Sequence, residues 1–166
     1  SIFLAFLCLL NELLVSNFNL QYVAQYTSYE TPVFFKVTAL WAGQAGSLLF
    51  WSFITALFTV TYIFTTLRKM EKLKFHSYII ISFIYSFFII LSSFIANPFE
   101  PVSSDIVVQN GNGLNPLLQN FFMAIHPPIL YVGFTGSAII FVMALAASIS
   151  KDISFEWAQS IRRWSL

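Results

Sequence analysis

Apolar positions along the chain fall in long unbroken runs, with neither the strict alternation of a half-buried strand nor the narrow stripe of a surface helix. Residues 47–67, 77–96 and 129–148 are each charge-free and about 20 residues long, which at 1.5 Å of helical rise per residue matches the roughly 30 Å hydrocarbon core of a bilayer. A backbone in hydrocarbon must satisfy its own hydrogen bonds, so such runs are helices. Residues 1–15 are apolar apart from Asn11 and Glu12, but they are too few for a full span and begin without Met, and they read as the end of a span whose start is missing. The pattern predicts an all-α fold: a polytopic membrane helix bundle of about four transmembrane segments, the first incomplete, forming a single membrane domain over residues 1–166 that is a piece of something longer.

Composition agrees with the pattern. The chain is 58% hydrophobic and only 9% charged, with a mean hydropathy of +0.77, against about 25% charge in soluble domains. A net charge of +1 excludes nucleic acid as an expected partner and leaves membrane lipid as the surrounding medium. Residues 1–10 carry neither a basic region nor a small-residue cleavage site, so they do not read as a signal peptide. The single cysteine, Cys8, rules out an internal disulfide, a Cys-x-x-Cys redox pair and a Cys-x-x-Cys-His haem attachment site within these residues.

Charge then sets the expected orientation. Arg68, Lys69, Lys72 and Lys74 cluster between the second and third runs, and Lys151, Arg162 and Arg163 follow the last one; Lys36 alone lies elsewhere. By the positive-inside rule the first two clusters mark the cytoplasmic or matrix side, which places residues 17–46 and 97–127 on the outer face. These two segments are long enough to carry short surface helices of their own.

The outer segments hold the polar signals. Asn97-Pro-Phe-Glu-Pro101 ends the preceding helix through two residues that lack an amide donor. Residues 110–113, Asn-Gly-Asn-Gly, read as a turn tolerant of positive φ. Asn115 and Pro116 suit a helix start, with Asn as cap and Pro at the first position, and predict a short amphipathic surface helix over 117–124. His126, one of only two histidines, precedes Pro127 and Pro128. The prolines favour extended backbone at the histidine and a new helix behind it, whose N-terminus disfavours imidazolium and keeps a nitrogen lone pair for a metal or haem iron. An ordinary interfacial histidine is the alternative, and a lone histidine is a weak ligand signal. His76 reads as an inner-rim interface residue, and Glu12 as a carboxylate either within the membrane or near the outer headgroups. Gly43 with Ser47, and Gly133 with Ser137, have the four-residue spacing that lets helices approach closely, and Trp41 and Trp51 suit an interfacial aromatic belt.

Three blocks resemble the family of the cytochrome c-type biogenesis protein CcmF, the membrane subunit of a haem lyase: Trp41-Ala-Gly-Gln-Ala-Gly-Ser-Leu-Leu-Phe-Trp51, Asn97-Pro-Phe99, and 114–119 continuing through Ile125-His-Pro-Pro-Ile-Leu-Tyr-Val-Gly133. With residues 33–39 and the last apolar run the likeness covers most of the chain. The resemblance implies a component of a cytochrome c haem lyase in which His126 is an axial ligand to b-type haem in transit, with Trp41, Asn115, Pro127, Pro128 and Tyr131 as pocket neighbours. It implies partners as well: a haem chaperone, CcmE; a CcmH-like thiol protein; apocytochrome c; and a remaining CcmF-like portion bearing a tryptophan-rich motif. The implied location is the mitochondrial inner membrane, or in the alternative a bacterial plasma membrane. Gln44 and Ala45 stand where the family carries a histidine and a carboxylate, which opens the alternative of a structural subunit that keeps the fold without the activity. No catalytic residue is expected in this stretch.

Overall fold

The computed structural model describes residues 2–103, 105 and 107–166; Ser1 of the expected 1–15 segment lies outside them. The architecture is helical, with a single isolated bridge between Leu20 and Pro101 among the described residues. In order the α-helices are α1 Ile2–Val15, α2 Gln21–Tyr26, α3 Val33–Thr38, α4 Gln44–Thr65, α5 Glu71–Ile90, α6 Phe121–Ser150 and α7 Phe155–Ser165. Three helical stretches, Gln44–Lys69, Glu71–Ile95 and Phe121–Ser150, are long and apolar enough to cross a membrane, and α1 is apolar but shorter. Much of the apolar surface of the stretch Glu71–Ile95 is exposed, with Phe83 at 79% and Phe94 at 84%, as expected for side chains that meet lipid rather than water.

The chain forms two compact units, Ser1–Phe53 with Phe88–Ile129, and Ile54–Phe87 with Leu130–Leu166. In the first, α1 packs on α3 and on the 3-10 turn Ala39–Trp41, burying Leu9, Leu13, Ala39 and Leu40. The end of α1 is held by a Schellman arrangement. The amide of Asn17 donates to Glu12 O at 3.0 Å and that of Ser16 to Leu13 O at 3.3 Å, with Ser16 in the left-handed region at φ 58. Lys36 is buried and donates to Ser16 Oγ at 2.6 Å, so its charge lies beside the carbonyl end of α1, where the helix dipole favours a cation. Glu12 accepts from Asn17 Nδ2 at 2.6 Å. It therefore belongs to this polar helix end, one turn from Val15.

The two polar segments, 17–46 and 97–127, are stitched together inside this first unit. Gln21 N donates to Glu100 O, Val102 N to Asn19 O, Asn112 N to Ala24 O and Gly113 N to Thr27 O, all between 2.8 and 3.1 Å. Side chains add a clasp: Asn110 accepts from Tyr29 N at 3.0 Å and donates to both oxygens of Glu30. The turn expected at 110–113 is not formed: the amides of Asn112 and Gly113 bond to the distant carbonyls of Ala24 and Thr27 instead, although Gly113 does take a positive φ of 76. The expected helix stop at Asn97-Pro98 is present. There α5 passes through a π turn, Leu91–Ile95, and ends at Ala96.

The glycines of 41–47 have a different reason from the one their spacing suggests. Tyr22 OH donates to Ala39 O at 2.9 Å and accepts from Gly43 N at 3.0 Å, closing the backbone just before α4. A Cβ at Gly46 would lie 2.0 Å from Leu40 O and 2.3 Å from Tyr22 OH, and one at Gly43 would lie 2.3 Å from the Tyr26 ring. The close approach is by tyrosines of α2, not by a second long helix. Gly133 meets open space, and Ser137 turns its hydroxyl back onto Gly133 O at 3.0 Å, so this second small-residue pair receives no neighbour either.

The second unit buries Tyr62, Leu67, Leu73, Ile81, Ile139, Val142, Met143 and Ala146. Within it Tyr62 OH and Ser77 Oγ pair at 3.0 Å, whereas the buried Thr135 hydroxyl has no partner among the described residues. Helix α7, which no feature singled out in the sequence reading, starts at an Ser154 cap that accepts from Trp157 N. It places Trp157, Ile161 and Trp164 against the core at i, i+4 and i+7.

Two outcomes follow from this packing. Gly46→Ala is expected to destabilise the chain by about 1–3 kcal/mol, the usual cost of overpacking, read as a lowered midpoint in reversible unfolding in micelles, with Ala45→Gly as a control that leaves the Tyr22 contact in place. The second concerns pH. The hydrogen bond from Asn110 is the chief reason the Glu30 carboxyl is held below its ordinary 4.5. A depressed carboxyl stabilises the clasp above pH 4.5 and loses that contribution as pH falls through the lowered value. Amide exchange at Tyr29 N should therefore accelerate below pH 4.5 in the native chain and show no such acid dependence in Glu30→Gln.

Candidate functional site

The site begins at the start of α6. Asn120 caps this helix, accepting from Phe122 N at 2.9 Å through its side chain and from Ala124 N at 2.9 Å through its carbonyl. The helix then runs without a break through Met123, Ala124, Ile125, His126, Pro127 and Pro128. This corrects two expectations. The surface helix predicted over 117–124 is instead a 3-10 turn, Pro116–Leu118, followed by the first turn of α6, and His126 is helical, the sixth residue of α6, where extended backbone was expected. The prolines' local bias is overridden because the first turn is already fixed by its cap and by the burial of Ala124.

Carrying prolines at the seventh and eighth positions leaves α6 with carbonyls that have no helical donor, since Pro127 would have bonded Met123 O and Pro128 would have bonded Ala124 O. The Ala124 carbonyl is not left bare: Trp41 Nε1 donates to it at 3.0 Å. Trp41 is held in turn by the Phe50 ring, 5.0 Å between centroids, and its own carbonyl accepts from Ser47 Oγ at 2.8 Å. Asn115 acts as expected of a cap, accepting from Leu117 N at 2.9 Å, while Gln119 Nε2 donates to Leu114 O at 2.7 Å and closes the turn that precedes Asn120.

Trp41, Ala124 and Pro127, with Thr38, Ala42, Leu114, Leu118 and Met123, line a cleft of ≈ 190 Å³. The structure therefore brings Trp41 and Pro127 together and puts Asn115 on the turn that forms one wall. Tyr131 falls in the other compact unit and is not part of this cleft. His126 itself is exposed, and neither ring nitrogen has a hydrogen-bond partner among the described residues. Its neighbours along the helix, Phe122 at 80% and Ile129 at 64%, are exposed as well. His126 also lies beyond the first turn of α6, outside the stretch where the helix dipole acts.

Gln44 and Ala45, at the start of α4, line a second, polar cleft of ≈ 250 Å³ with Gln21, Gln25, Tyr26 and Glu100. His76 lies in the other unit on α5, half-buried, with its ring edge-on to Phe75 and its Nδ1 enclosed without a partner. No group of three or more His, Cys, Asp or Glu side chains gathers among the described residues. An exposed imidazole flanked by apolar side chains fits one face of a flat metallated macrocycle. The ≈ 190 Å³ cleft is below the about 300–1,000 Å³ of ordinary small-molecule sites, so it could take an edge of such a group at most.

Three helices long and apolar enough to cross a membrane, joined by polar segments stitched into one unit, define a multi-pass membrane protein. The chain belongs to the cytochrome c assembly protein family, whose model matches residues 41–165. It is 36% identical over 152 residues to the cytochrome c-type biogenesis protein NrfE of Haemophilus influenzae, covering 92% of this chain and 24% of that protein. It is 31% identical over 162 residues to the cytochrome c-type biogenesis protein CcmF of Escherichia coli, covering 98% and 25%. Among solved structures it superposes on the cytochrome c heme lyase CcmF with a TM-score of 0.81 at 28% identity, covering 98% of this chain and 25% of that one. The chain thus spans about a quarter of the length of the relatives it matches.

The cap at Asn120 yields a further outcome. Asn120→Ala removes one side-chain acceptor and is expected to cost about 1 kcal/mol and to fray the first turn of α6. Amide exchange at Phe122 and Met123 should rise several-fold while exchange in the Ile139–Ala146 stretch stays unchanged.

Proposed function

We propose that this chain is part of a cytochrome c haem lyase and that His126 supplies one axial ligand to haem in transit. The observation that carries the proposal is the imidazole of His126: it is exposed near the start of a helix long and apolar enough to cross a membrane, unpartnered among the described residues, and set just after a helix turn held by the Asn120 cap and the Trp41 bond to Ala124. In this reading residues 97–125 shape the edge of the haem site, and Asn115 and Trp41 position rather than ligate. Pro127 and Pro128 keep the helix free of donors at Met123 and Ala124, so that Trp41 can dock there.

Bound haem supplies vinyl groups as acceptors for cysteine thiols, and the chemistry is largely that of haem and thiol. The chain's own contribution is to hold and orient the iron. The haem comes from a chaperone of the CcmE kind, and its acceptor is apocytochrome c, presented with the help of a CcmH-like thiol protein. A second axial ligand and a tryptophan-rich surface come from the CcmF-like portion outside these residues, in line with the quarter-length match to relatives. The membrane is the mitochondrial inner membrane or a bacterial plasma membrane, with the seven clustered basic residues on the inner side.

The test is purification of the native complex with haem quantified, native chain against His126→Ala. His126→Ala is expected to lower haem occupancy about tenfold or more and to depress cytochrome c maturation in parallel. His126→Cys or His126→Met should instead shift the haem Soret band by changing the axial ligand. Unchanged occupancy, spectrum and maturation in these variants would favour a structural subunit that retains the fold alone.

A further inference from the structure

The second unit carries a site that the haem reading does not use. Thr65 and Thr66 at the end of α4 and Ser160, Arg163 and Trp164 on the last turns of α7 enclose a polar cavity of ≈ 340 Å³, within the size range of small-ligand sites. The far wall is fixed, because Trp164 Nε1 donates to Thr66 Oγ1 at 3.0 Å and the Trp164 ring stands edge-on to Tyr62 at 5.9 Å between centroids. Arg163 is exposed at the rim and forms no ion pair among the described residues; the one ion pair there joins Lys74 and Glu71. Arg68 and Lys69 follow Thr66 after the buried Leu67, and Arg162 precedes Arg163.

Charge decides what could enter. This unit holds seven basic residues against three acidic ones, Glu71, Asp152 and Glu156, whereas the first unit holds Lys36 alone against four. The carbonyl end of α4 lies at this cavity and contributes about half a negative charge. It offsets about half the charge of Arg163, the cation that lines the cavity, and Arg162, Arg68 and Lys69 lie within three residues of lining positions along the chain. The remaining positive charge stands beside the Thr66 and Ser160 hydroxyls and a guanidinium fork suited to two oxygens of one phosphate, while the Thr65 hydroxyl donates to Thr61 O.

We infer that this cavity is a binding site for the phosphate of an anionic phospholipid headgroup of the inner leaflet. The position favours a lipid over a free anion. Thr65 closes a membrane-crossing helix, Phe64 beside it is exposed at 61%, and Arg68 lies 5.9 Å over the Phe64 ring, so apolar surface for acyl chains adjoins the cationic rim. Basic pockets at the inner ends of membrane helices hold phospholipid headgroups by this combination. Such a lipid would clamp α7 to the end of α4.

The full chain, purified with its native subunits in detergent, would be titrated with phosphatidylglycerol, phosphatidylcholine and inorganic phosphate, with bound lipid counted by native mass spectrometry. Phosphatidylglycerol is expected to bind at least about tenfold more tightly than phosphatidylcholine and to resist a large excess of inorganic phosphate. Arg163→Gln should weaken phosphatidylglycerol about tenfold, Arg163→Lys less than about threefold, and Lys151→Gln, outside the cavity, not at all. Equal affinity for the two lipids, an unaltered Arg163→Gln, equal losses in Arg163→Gln and Lys151→Gln, or a loss in Arg163→Lys as large as in Arg163→Gln would overturn the assignment. Displacement by inorganic phosphate would reassign the cavity to a free anion and overturn the lipid claim.

Discussion

One hydrogen bond governs the first unit: the indole N–H of Trp41 on the carbonyl of Ala124. A helix that contains Pro127 and Pro128 inside its second turn has given up amide donors it would normally use, and a bare carbonyl at the edge of a membrane costs about 1–3 kcal/mol. By taking up that carbonyl, Trp41 lets α6 stay helical through the proline pair. It also ties the start of α6 to the turn that launches α4, since Trp41 itself rests on Phe50 and is anchored by Ser47. The tie explains how a histidine that is exposed and unbonded can still have a defined position.

Around that tie the polar chemistry is arranged to be self-sufficient. Tyr22 closes the backbone before α4, Lys36 lies beside the carbonyl end of α1, and Asn110 joins Tyr29 and Glu30. Each satisfies groups that water would otherwise serve, which allows the outer segments to lie over apolar helices without bare backbone. His126 is the exception, a polar group left open where its neighbours are closed. In the second unit the same contrast recurs, with Tyr62, Ser77, Thr66 and Trp164 paired inward and Arg163 left open at a polar cavity.

Much of this was legible from sequence where the cause is local. Charge-free runs of spanning length, the helix stop at Asn97-Pro98 and the cap at Asn115 all depend on a few adjacent residues, and all are present. The family too was legible, since the block 125–133 is long and specific. What escaped depends on partners distant in sequence. The prolines' preference for extended backbone before them gave the wrong conformation at His126, because Asn120 and Trp41, which lies 83 positions before its acceptor Ala124, outweigh it. Gly43 and Gly46 looked like a helix-contact motif, yet they accommodate Tyr26 and Tyr22. Two signals were there to be read: counting four residues back from Pro128 points to the Ala124 carbonyl, and Ser154 followed by Trp157, Ile161 and Trp164 marks α7.

The account's central claim, that Trp41 stabilises this region by serving the carbonyl that Pro128 leaves unbonded, is tested most directly by a double-mutant cycle of Trp41→Phe and Pro128→Ala, with unfolding free energy measured in micelles. In the native background Trp41→Phe is predicted to cost about 1–3 kcal/mol. In the Pro128→Ala background, where residue 128 regains its own donor for Ala124, the cost should fall by about 1 kcal/mol or more. Strict additivity of the two substitutions would contradict the account.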